Sequence, residues 1–222
     1  MKNILVAGGT DGLGLEIVKL LIEDTSNHVI VLGRNPEKLK SIIGKIDFYK
    51  IDVSNEVEVE NFEKSFQVQL DILIISVGIF GHGKIEDFTF AQIRNSLEVN
   101  LLGHMFLTKA LFSQLLPGSR VISINSMSGI NATKERSLLC AAKWGLRGFY
   151  NALSEEWKGR NIMITQIFPG FFDSEYMDKV GIPKDKGKAI KKELIAKQIV
   201  GVCNLPDNVY LPEIQIKNIS YT

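Results

Sequence analysis

A glycine-rich turn joins the first two predicted elements of the chain and restricts what the chain can fold into. Residues 3–8 (NILVAG) form a continuous apolar run, which is typical of a strand covered on both faces. GGTDGLG follows, and apolar residues then recur at helical spacing at Leu13, Ile17, Leu20 and Leu21. Glycines let the backbone approach a pyrophosphate, and the next helix directs free N–H groups at it. The order strand, glycine-rich turn, helix therefore predicts a dinucleotide-binding fold.

The rest of the chain alternates between predicted strands and predicted helices. Strands are expected at residues 28–33, 48–53, 71–78, 120–125, 161–168 and 208–216, the last of them interrupted by Pro212. Helices are expected at residues 37–43, 90–116, 137–157 and 189–203, and after an N-cap at Ser54 as far as Phe66. Strict alternation predicts a parallel sheet with helices on both faces. We expect a Rossmann-type, doubly wound α/β/α sandwich, with residues 1–222 as one domain.

Composition excludes several classes of protein. The 222 residues carry a formal net charge of +1, so no global field draws the chain to nucleic acid or to a membrane surface. No apolar run reaches the roughly 18 residues of a transmembrane helix. Two cysteines, Cys140 and Cys203, make neither a disulfide framework nor a metal cluster, so we expect a cytoplasmic protein without a metal.

The residue after the second predicted strand bears on the choice of cofactor. NAD-binding folds usually place an acidic residue there to hold the ribose hydroxyls, whereas an arginine accommodates the 2′-phosphate of NADP. This chain has Arg34 at that position, and a guanidinium attracts a phosphate. Asp11, an acidic side chain close to the predicted phosphate site, argues mildly in the other direction. The sequence favours NADP, with NAD as the alternative.

These motifs together resemble the classical short-chain dehydrogenase/reductase family over residues 2–177. The family's TGxxxGxG appears as AGGTDGLG, and its catalytic serine and central-helix asparagine match Ser126 and Asn100. Its catalytic lysine matches Lys143, so the resemblance implies catalytic roles for Ser126, Lys143 and Asn100. The cofactor-binding residues that the resemblance implies are Gly8, Thr10, Asp11, Gly12, Leu13, Gly14, Arg34, Asp52, Val53, Val77, Gly78, Lys143, Pro169, Gly170 and Ser174.

The proton donor of the family has no counterpart in this chain. The family's YxxxK motif places a tyrosine four residues before the lysine, and that position is Leu139 here. The longer-spaced tyrosine of enoyl reductases would fall on Arg136. A leucine cannot donate a proton, and losing a positioned general acid typically costs about 10²- to 10⁴-fold in rate. Tyr176, or Lys143 acting directly or through water, are the candidate replacements.

Three functions stay open at this point. The first is an NADP(H)-dependent oxidoreductase that acts on a small carbonyl or alcohol substrate with an altered or impaired proton donor. The second is a catalytically weak or inactive nucleotide-binding protein with a sensing or structural role, and the third is a non-redox use of the fold. The resemblance also implies a homodimer or homotetramer, and it leaves the substrate unidentified.

Overall fold

A computed structural model describes residues 1–173 and 189–219. In this part of the chain, seven parallel strands form a single sheet in the order β3-β2-β1-β4-β5-β6-β7. The strands are β1 (Lys2–Ala7), β2 (Asn27–Gly33), β3 (Asp47–Lys50), β4 (Leu70–Ile75), β5 (Leu115–Ile124), β6 (Met163–Pro169) and β7 (Glu213–Ile216). Successive connections run in one direction from β1 to β3 and in the other from β4 to β7. The strand order therefore reverses between β1 and β4, where such sheets bind ligands.

Helices cover both faces of the sheet. They are α1 (Gly12–Leu21), α2 (Glu56–Ser65), α3 (Phe90–Leu97), α4 (Gly103–Ala110), α5 (Ser137–Trp157) and α6 (Lys192–Cys203). One apolar core joins the sheet to α2, α4 and α5, and a second core joins the opposite face to α1 and α6. The predicted doubly wound α/β/α architecture is confirmed. No helix in the described ranges is long and apolar enough to cross a membrane.

Several predicted element bounds were wrong, each for a local reason. Residues 37–43 form two short 3₁₀ turns, Glu37–Leu39 and Ile43–Lys45, instead of one helix. Asn55, and not Ser54, caps α2, because its Oδ1 accepts hydrogen bonds from the N–H groups of Val57 and Glu58. Ser54 instead donates its hydroxyl to Asp52 Oδ1. The last strand is shortened to Glu213–Ile216 and lies entirely after Pro212.

The predicted helix at residues 90–116 is interrupted by a π-helical turn, Glu98–Leu102, between α3 and α4. Such turns insert one extra residue and are frequent at functional sites. Asn100 lies inside this turn and is completely buried. The helical region then ends at Gln114, and β5 begins at Leu115, so Pro117 and Gly118 belong to the strand segment rather than to a helix end.

Candidate active site

A cavity of about 440 Å³ opens at the carboxyl ends of the strands. Segments that follow β1, β2, β3, β4, β5 and β6 all contribute to its wall, as does the first part of α5. Most of the predicted site residues line it: Gly8, Thr10, Asp11, Gly12, Leu13, Arg34, Asp52, Val53, Val77, Gly78, Asn100, Ser126, Lys143, Pro169 and Gly170. Gly14 is not part of this wall, and Ser174 lies outside the described residues, as does Tyr176. The structure therefore brings together predicted residues that are up to 162 positions apart in the sequence, from Gly8 to Gly170.

The glycine-rich turn between β1 and α1 needs glycine at three positions for different reasons. Gly8 and Gly12 have φ angles of +80° and +54°, in a region of backbone conformation that residues other than glycine rarely adopt. A Cβ on Gly14 would stand 2.2 Å from the carbonyl oxygen of Gly8, so this position must be glycine for the turn to close. A Cβ on Gly12 would meet no atom within 4 Å, because this residue faces the open cavity.

Asp11 begins α1 as its N-cap. Its Oδ1 accepts a hydrogen bond from the N–H of Gly12 at 2.7 Å and an ion pair from Lys38 Nζ at 2.7 Å. A carboxylate is favourable at a helix N-terminus because the helix dipole is positive there. Asp11 is thus held by its own helix and by Lys38, which partly neutralises it at the edge of the cavity.

Arg34 and Asp52 face each other at the outer end of the cavity. Arg34 Nη1 lies 3.6 Å from Asp52 Oδ2, and the Arg34 side chain is 69% exposed. Asp52 Oδ1 accepts hydrogen bonds from the N–H and the hydroxyl of Ser54, at 3.0 and 2.6 Å. Partial burial opposes the change, but these hydrogen bonds and the Arg34 charge together lower the pKa of the Asp52 carboxyl. The exposed guanidinium can therefore reach a further anion in solvent while Asp52 stays ionised.

Asn100 fixes the backbone that follows β4. Its Oδ1 accepts a hydrogen bond from the N–H of Ile79 at 2.9 Å, and a Cβ on Gly78 would come within 3.0 Å of that oxygen. The Nδ2 group of Asn100 is buried and has no hydrogen-bond partner among the described residues. A buried amide donor without a partner is costly, and it is the kind of group that a ligand or ordered water satisfies.

Lys143 is a buried cation in the wall of the cavity. The residue is only 5% exposed, and its Nζ donates a hydrogen bond to the carbonyl oxygen of Ile124 at 3.1 Å. No carboxylate of the described residues pairs with it. Burial disfavours the charged form and lowers the pKa of Lys143 from 10.5 to about 7. The amine can therefore both gain and lose a proton near neutral pH.

Leu139 and Ser126 complete this part of the wall. Leu139 lies one helical turn before Lys143 on α5 and is 5% exposed. Ser126 follows β5 and caps a short 3₁₀ turn, because its Oγ accepts a hydrogen bond from the N–H of Ser128 at 3.1 Å. The Ser126 hydroxyl can still donate its own proton to a bound oxygen.

Two other titratable groups near the site are structural. His104 is fully buried, with Nε2 3.0 Å from the carbonyl oxygen of Val77 and Nδ1 3.5 Å from the hydroxyl of Tyr150. Burial, together with the nearby Lys143 charge, lowers the pKa of His104 to about 3, so the ring is neutral. Burial raises the pKa of Tyr150, whose hydroxyl also bonds to Thr108, and Tyr150 does not line the cavity. Tyr150 is therefore not placed to replace the missing donor.

Sequence reasoning missed two contributions to the site. Asn125 Nδ2 donates to the carbonyl oxygen of Lys143 and to Gln166 Oε1, and Asn125 Oδ1 accepts from the N–H of Ser126. This network ties β5, β6 and α5 together behind Ser126 and Lys143. The other is Arg136, whose guanidinium lies 5.0 Å from the centre of the Phe80 ring. The sequence signals that could have indicated it are its position just before the helix that carries Lys143 and its match to the longer-spaced tyrosine of enoyl reductases.

In the ranges that the structure covers, no group of three or more His, Cys, Asp or Glu side chains converges on one point. The polar groups of the cavity are glycine backbone, amides, hydroxyls, three cations and the carboxylates of Asp11 and Asp52, which pair with Lys38 and Arg34. The cations and free N–H groups suit an anionic organic ligand.

Comparison with known proteins agrees with this fold. The family model described as short chain dehydrogenase matches residues 2–184, which is most of the chain. The chain belongs to the short-chain dehydrogenase family. It is 30% identical over 217 residues to a 3-oxoacyl-[acyl-carrier-protein] reductase of Rickettsia conorii, covering 94% of this chain and 86% of that protein. It is 28% identical over 228 residues to an uncharacterized oxidoreductase of Staphylococcus aureus, covering 98% and 97% of the two chains.

Solved structures share the whole fold at low sequence identity. An alcohol dehydrogenase from the archaeon Thermococcus sibiricus, complexed with 5-hydroxy-NADP, superposes with a TM-score of 0.87 at 22% identity, over 99% of this chain and 97% of that one. A short chain dehydrogenase from Burkholderia cenocepacia in complex with NADP superposes with a TM-score of 0.88 at 24% identity, over 100% and 98%. These likenesses establish the architecture.

Proposed function

We propose that this protein is an NADP(H)-dependent oxidoreductase that interconverts a small carbonyl compound and its alcohol, with Lys143 as the proton donor. The observation that carries the proposal is the buried Lys143 amine in the cavity wall, with a pKa near 7 and no carboxylate partner in the described ranges. Such an amine is matched to proton transfer near neutral pH.

The residues present fit a nicotinamide dinucleotide. Gly12 leaves open space at the N-terminus of α1, where a pyrophosphate binds favourably, and the Asn100 amide is a buried donor in need of an acceptor. Gly8, Thr10, Asp11, Gly12, Leu13 and Gly14 would form the phosphate turn, and Asp52, Val53, Val77 and Gly78 would lie along the adenosine and ribose. Pro169, Gly170 and Ser174 would lie near the nicotinamide, as in the family. When bound, the cofactor supplies or accepts the hydride.

The proposed proton path uses residues of this chain alone. The Ser126 hydroxyl donates a hydrogen bond to the carbonyl oxygen of the substrate and holds it in the cavity. As that oxygen gains negative charge, the Lys143 ammonium transfers a proton to it and becomes a neutral amine. Leu139 contributes an apolar wall that keeps water away and favours the neutral amine, and Asn100 keeps the segment after β4 in place. Tyr176 is the alternative donor, in the segment outside the described residues.

The preference for NADP rests on Arg34. Its exposed guanidinium adjoins the end of the cavity that follows β2, where the adenosine ribose would lie, and Asp52 does not fully neutralise it at 3.6 Å. The Thermococcus and Burkholderia structures contain 5-hydroxy-NADP and NADP. We extend that choice of cofactor to this chain as part of the proposal.

The experiment that tests the proposal has two stages. Purified protein is first titrated with NADPH and NADH, and saturable binding with a preference for NADPH is expected. NADPH oxidation is then followed with a panel of aldehydes, ketones and oxo acids. Binding without oxidation of NADPH by any compound would instead favour the catalytically inactive nucleotide-binding protein, for which Leu139 is the supporting observation. Absence of binding by either nucleotide would contradict both functions.

The proposal includes one domain over residues 1–222, a cytoplasmic location and assembly into a homodimer or homotetramer. Trp144 on α5 is 49% exposed and Leu102 in the π-helical turn is 36% exposed, which leaves apolar surface on these helices. Light scattering of the purified protein tests the assembly, and a monomer at micromolar concentration would contradict it.

A further inference from the structure

Arg136 gives one end of the cavity a positive charge that the proposed reaction does not use. The residue immediately precedes α5, two helical turns before Lys143, and its side chain lines the cavity with Phe80, Thr133 and Leu139. Along the axis of α5, about 10 Å separates the two positions at 1.5 Å per residue. Arg136 therefore lies farther from Lys143 along the helix axis than Leu139 does, at the N-terminal end of α5.

The guanidinium of Arg136 is held in place but keeps its hydrogen-bond donors free. It stacks over the Phe80 ring with 5.0 Å between Cζ and the ring centre. Stacking uses the flat face of the guanidinium, whereas its N–H groups point outward in the plane. No acceptor of the described residues receives a hydrogen bond from these groups.

The acidic side chains nearby are engaged elsewhere. Glu135, the neighbour in sequence, has a positive φ angle of 61°, and its carboxylate lies 3.4 Å from Nε2 of His82. In the described wall of the cavity, the acids are Asp11 and Asp52, which pair with Lys38 and with Ser54 and Arg34. A half-buried cation without a carboxylate partner is suited to an anion that comes from outside the protein.

We propose that Arg136 binds the carboxylate of the substrate, so that the protein acts on oxo acids and hydroxy acids in preference to neutral carbonyl compounds. This inference rests on the proposed function for the identity of the reacting group. The planar guanidinium receives a carboxylate through two parallel hydrogen bonds. The carbonyl lies towards Ser126 and Lys143, so the carboxylate is separated from it by a few bonds. Among the described residues of the wall, Arg136 is the one cation at this end, which matches the single charge of a carboxylate.

Matched acids and esters test this assignment without any turnover. Pyruvate, acetoacetate and levulinate place the carbonyl progressively further from the carboxylate, and each methyl ester removes the charge alone. Their binding is measured by calorimetry on the protein with NADP⁺, which cannot supply a hydride, and again on the protein without cofactor. We expect at least one acid to bind at least tenfold more tightly than its ester. Arg136→Gln brings that ratio close to one, and Arg136→Lys keeps part of it.

The control variant is Lys134→Gln. Lys134 lies two positions before Arg136, is exposed and does not line the cavity, so this variant removes the same charge outside the proposed site. It should keep the acid preference of the original protein, and thermal melting checks that each variant is folded. Equal binding of acids and esters, no binding of any acid, or an unchanged ratio in Arg136→Gln overturns the inference. Failure of NADP⁺ to bind would count against the proposed function alone, because the titration without cofactor still reports on Arg136.

Discussion

Leu139 and Lys143 stand one helical turn apart on α5, and both side chains line the same cavity. An apolar side chain therefore lies where it can shield the amine, whose pKa is lowered by burial to about 7. A phenol at residue 139 would use a fully charged lysine to lower its own pKa, whereas beside a leucine the lysine itself becomes the group that titrates. The same pair of positions can thus support two ways of delivering a proton.

Leu139→Tyr should create a second proton donor. A phenol four residues before Lys143 lies on the same face of α5, and we expect the rate of NADPH oxidation to rise by at least tenfold. Leu139→Phe is the matched control, because it adds the ring without the hydroxyl. The measurement is steady-state NADPH oxidation with the best substrate of the carbonyl panel. Equal rates for the Tyr and Phe variants would show that residue 139 does not adjoin the reacting oxygen.

Arg34→Asp should reverse the preference between the two nucleotides. A carboxylate repels a 2′-phosphate and accepts hydrogen bonds from ribose hydroxyls, so the ratio of NADPH to NADH affinity should fall by about 10- to 100-fold, or 1.4–2.8 kcal/mol. Fluorescence titration with both nucleotides measures the ratio. Lys45→Asp makes the same charge change at an exposed position outside the cavity wall and should leave the ratio unchanged. An unaltered ratio in the Arg34 variant would assign the preference to other residues.

Of two glycine-to-alanine changes, one should abolish nucleotide binding and the other should stabilise the fold. A Cβ at Gly14 would stand 2.2 Å from the Gly8 carbonyl oxygen, so Gly14→Ala distorts the turn and should abolish nucleotide binding. Gly148 lies inside α5 with nothing within 4 Å of its added Cβ. Gly148→Ala should therefore raise the free energy of unfolding by about 0.5–1 kcal/mol. Urea denaturation and NADPH titration of both variants report the two effects, and wild-type affinity in Gly14→Ala would refute the predicted turn geometry.

Lys143→Met should stabilise the protein most at low pH. The folded protein lowers the pKa of Lys143 to about 7, while the unfolded chain keeps the ordinary value of 10.5. Between these values the unfolded state binds more protons, so wild-type stability rises with pH, and the cost of burying the charge is fully present below pH 7. We expect the variant to be more stable by about 1–3 kcal/mol at pH 6, with the advantage shrinking by pH 9.5. Urea denaturation at both values tests this, and a difference that does not change with pH would contradict the buried charge.

The sequence predicted the architecture because alternating apolar runs and a glycine-rich turn leave few other arrangements. The apolar run of β1 and the helical spacing in α1 are local signals, and the structure follows them closely. Ser54 was the wrong cap because its hydroxyl donates to Asp52, two residues earlier, while the adjacent Asn55 accepts from the first free N–H groups of α2. The π-helical turn around Asn100 was not predicted either, because it accompanies a tertiary hydrogen bond from the N–H of Ile79 to Asn100 Oδ1, which no local pattern announces.

The candidate site was predictable where spacing along the chain carries the information. Arg34 could be placed from its position after the second strand, whereas the family resemblance placed Asn100, Ser126 and Lys143, and the structure brings all four to one cavity. The free donors of Arg136 could not be read from the sequence. They depend on Phe80, which supports the guanidinium, and on His82, which draws the Glu135 carboxylate away. Such contacts arise between loops that follow different elements.

The pH dependence of hydride transfer in a single turnover is the most direct test of Lys143 as proton donor. With NADPH and the best carbonyl substrate, the rate constant should be constant below pH 7 and fall about tenfold per pH unit above it, because only the ammonium can donate. His104 cannot produce this change, since its pKa is about 3. Lys143→Arg keeps a positive charge that does not titrate, so its rate should be low and independent of pH. A wild-type rate constant that stays level from pH 6 to 9, or full activity in Lys143→Arg, would contradict the account.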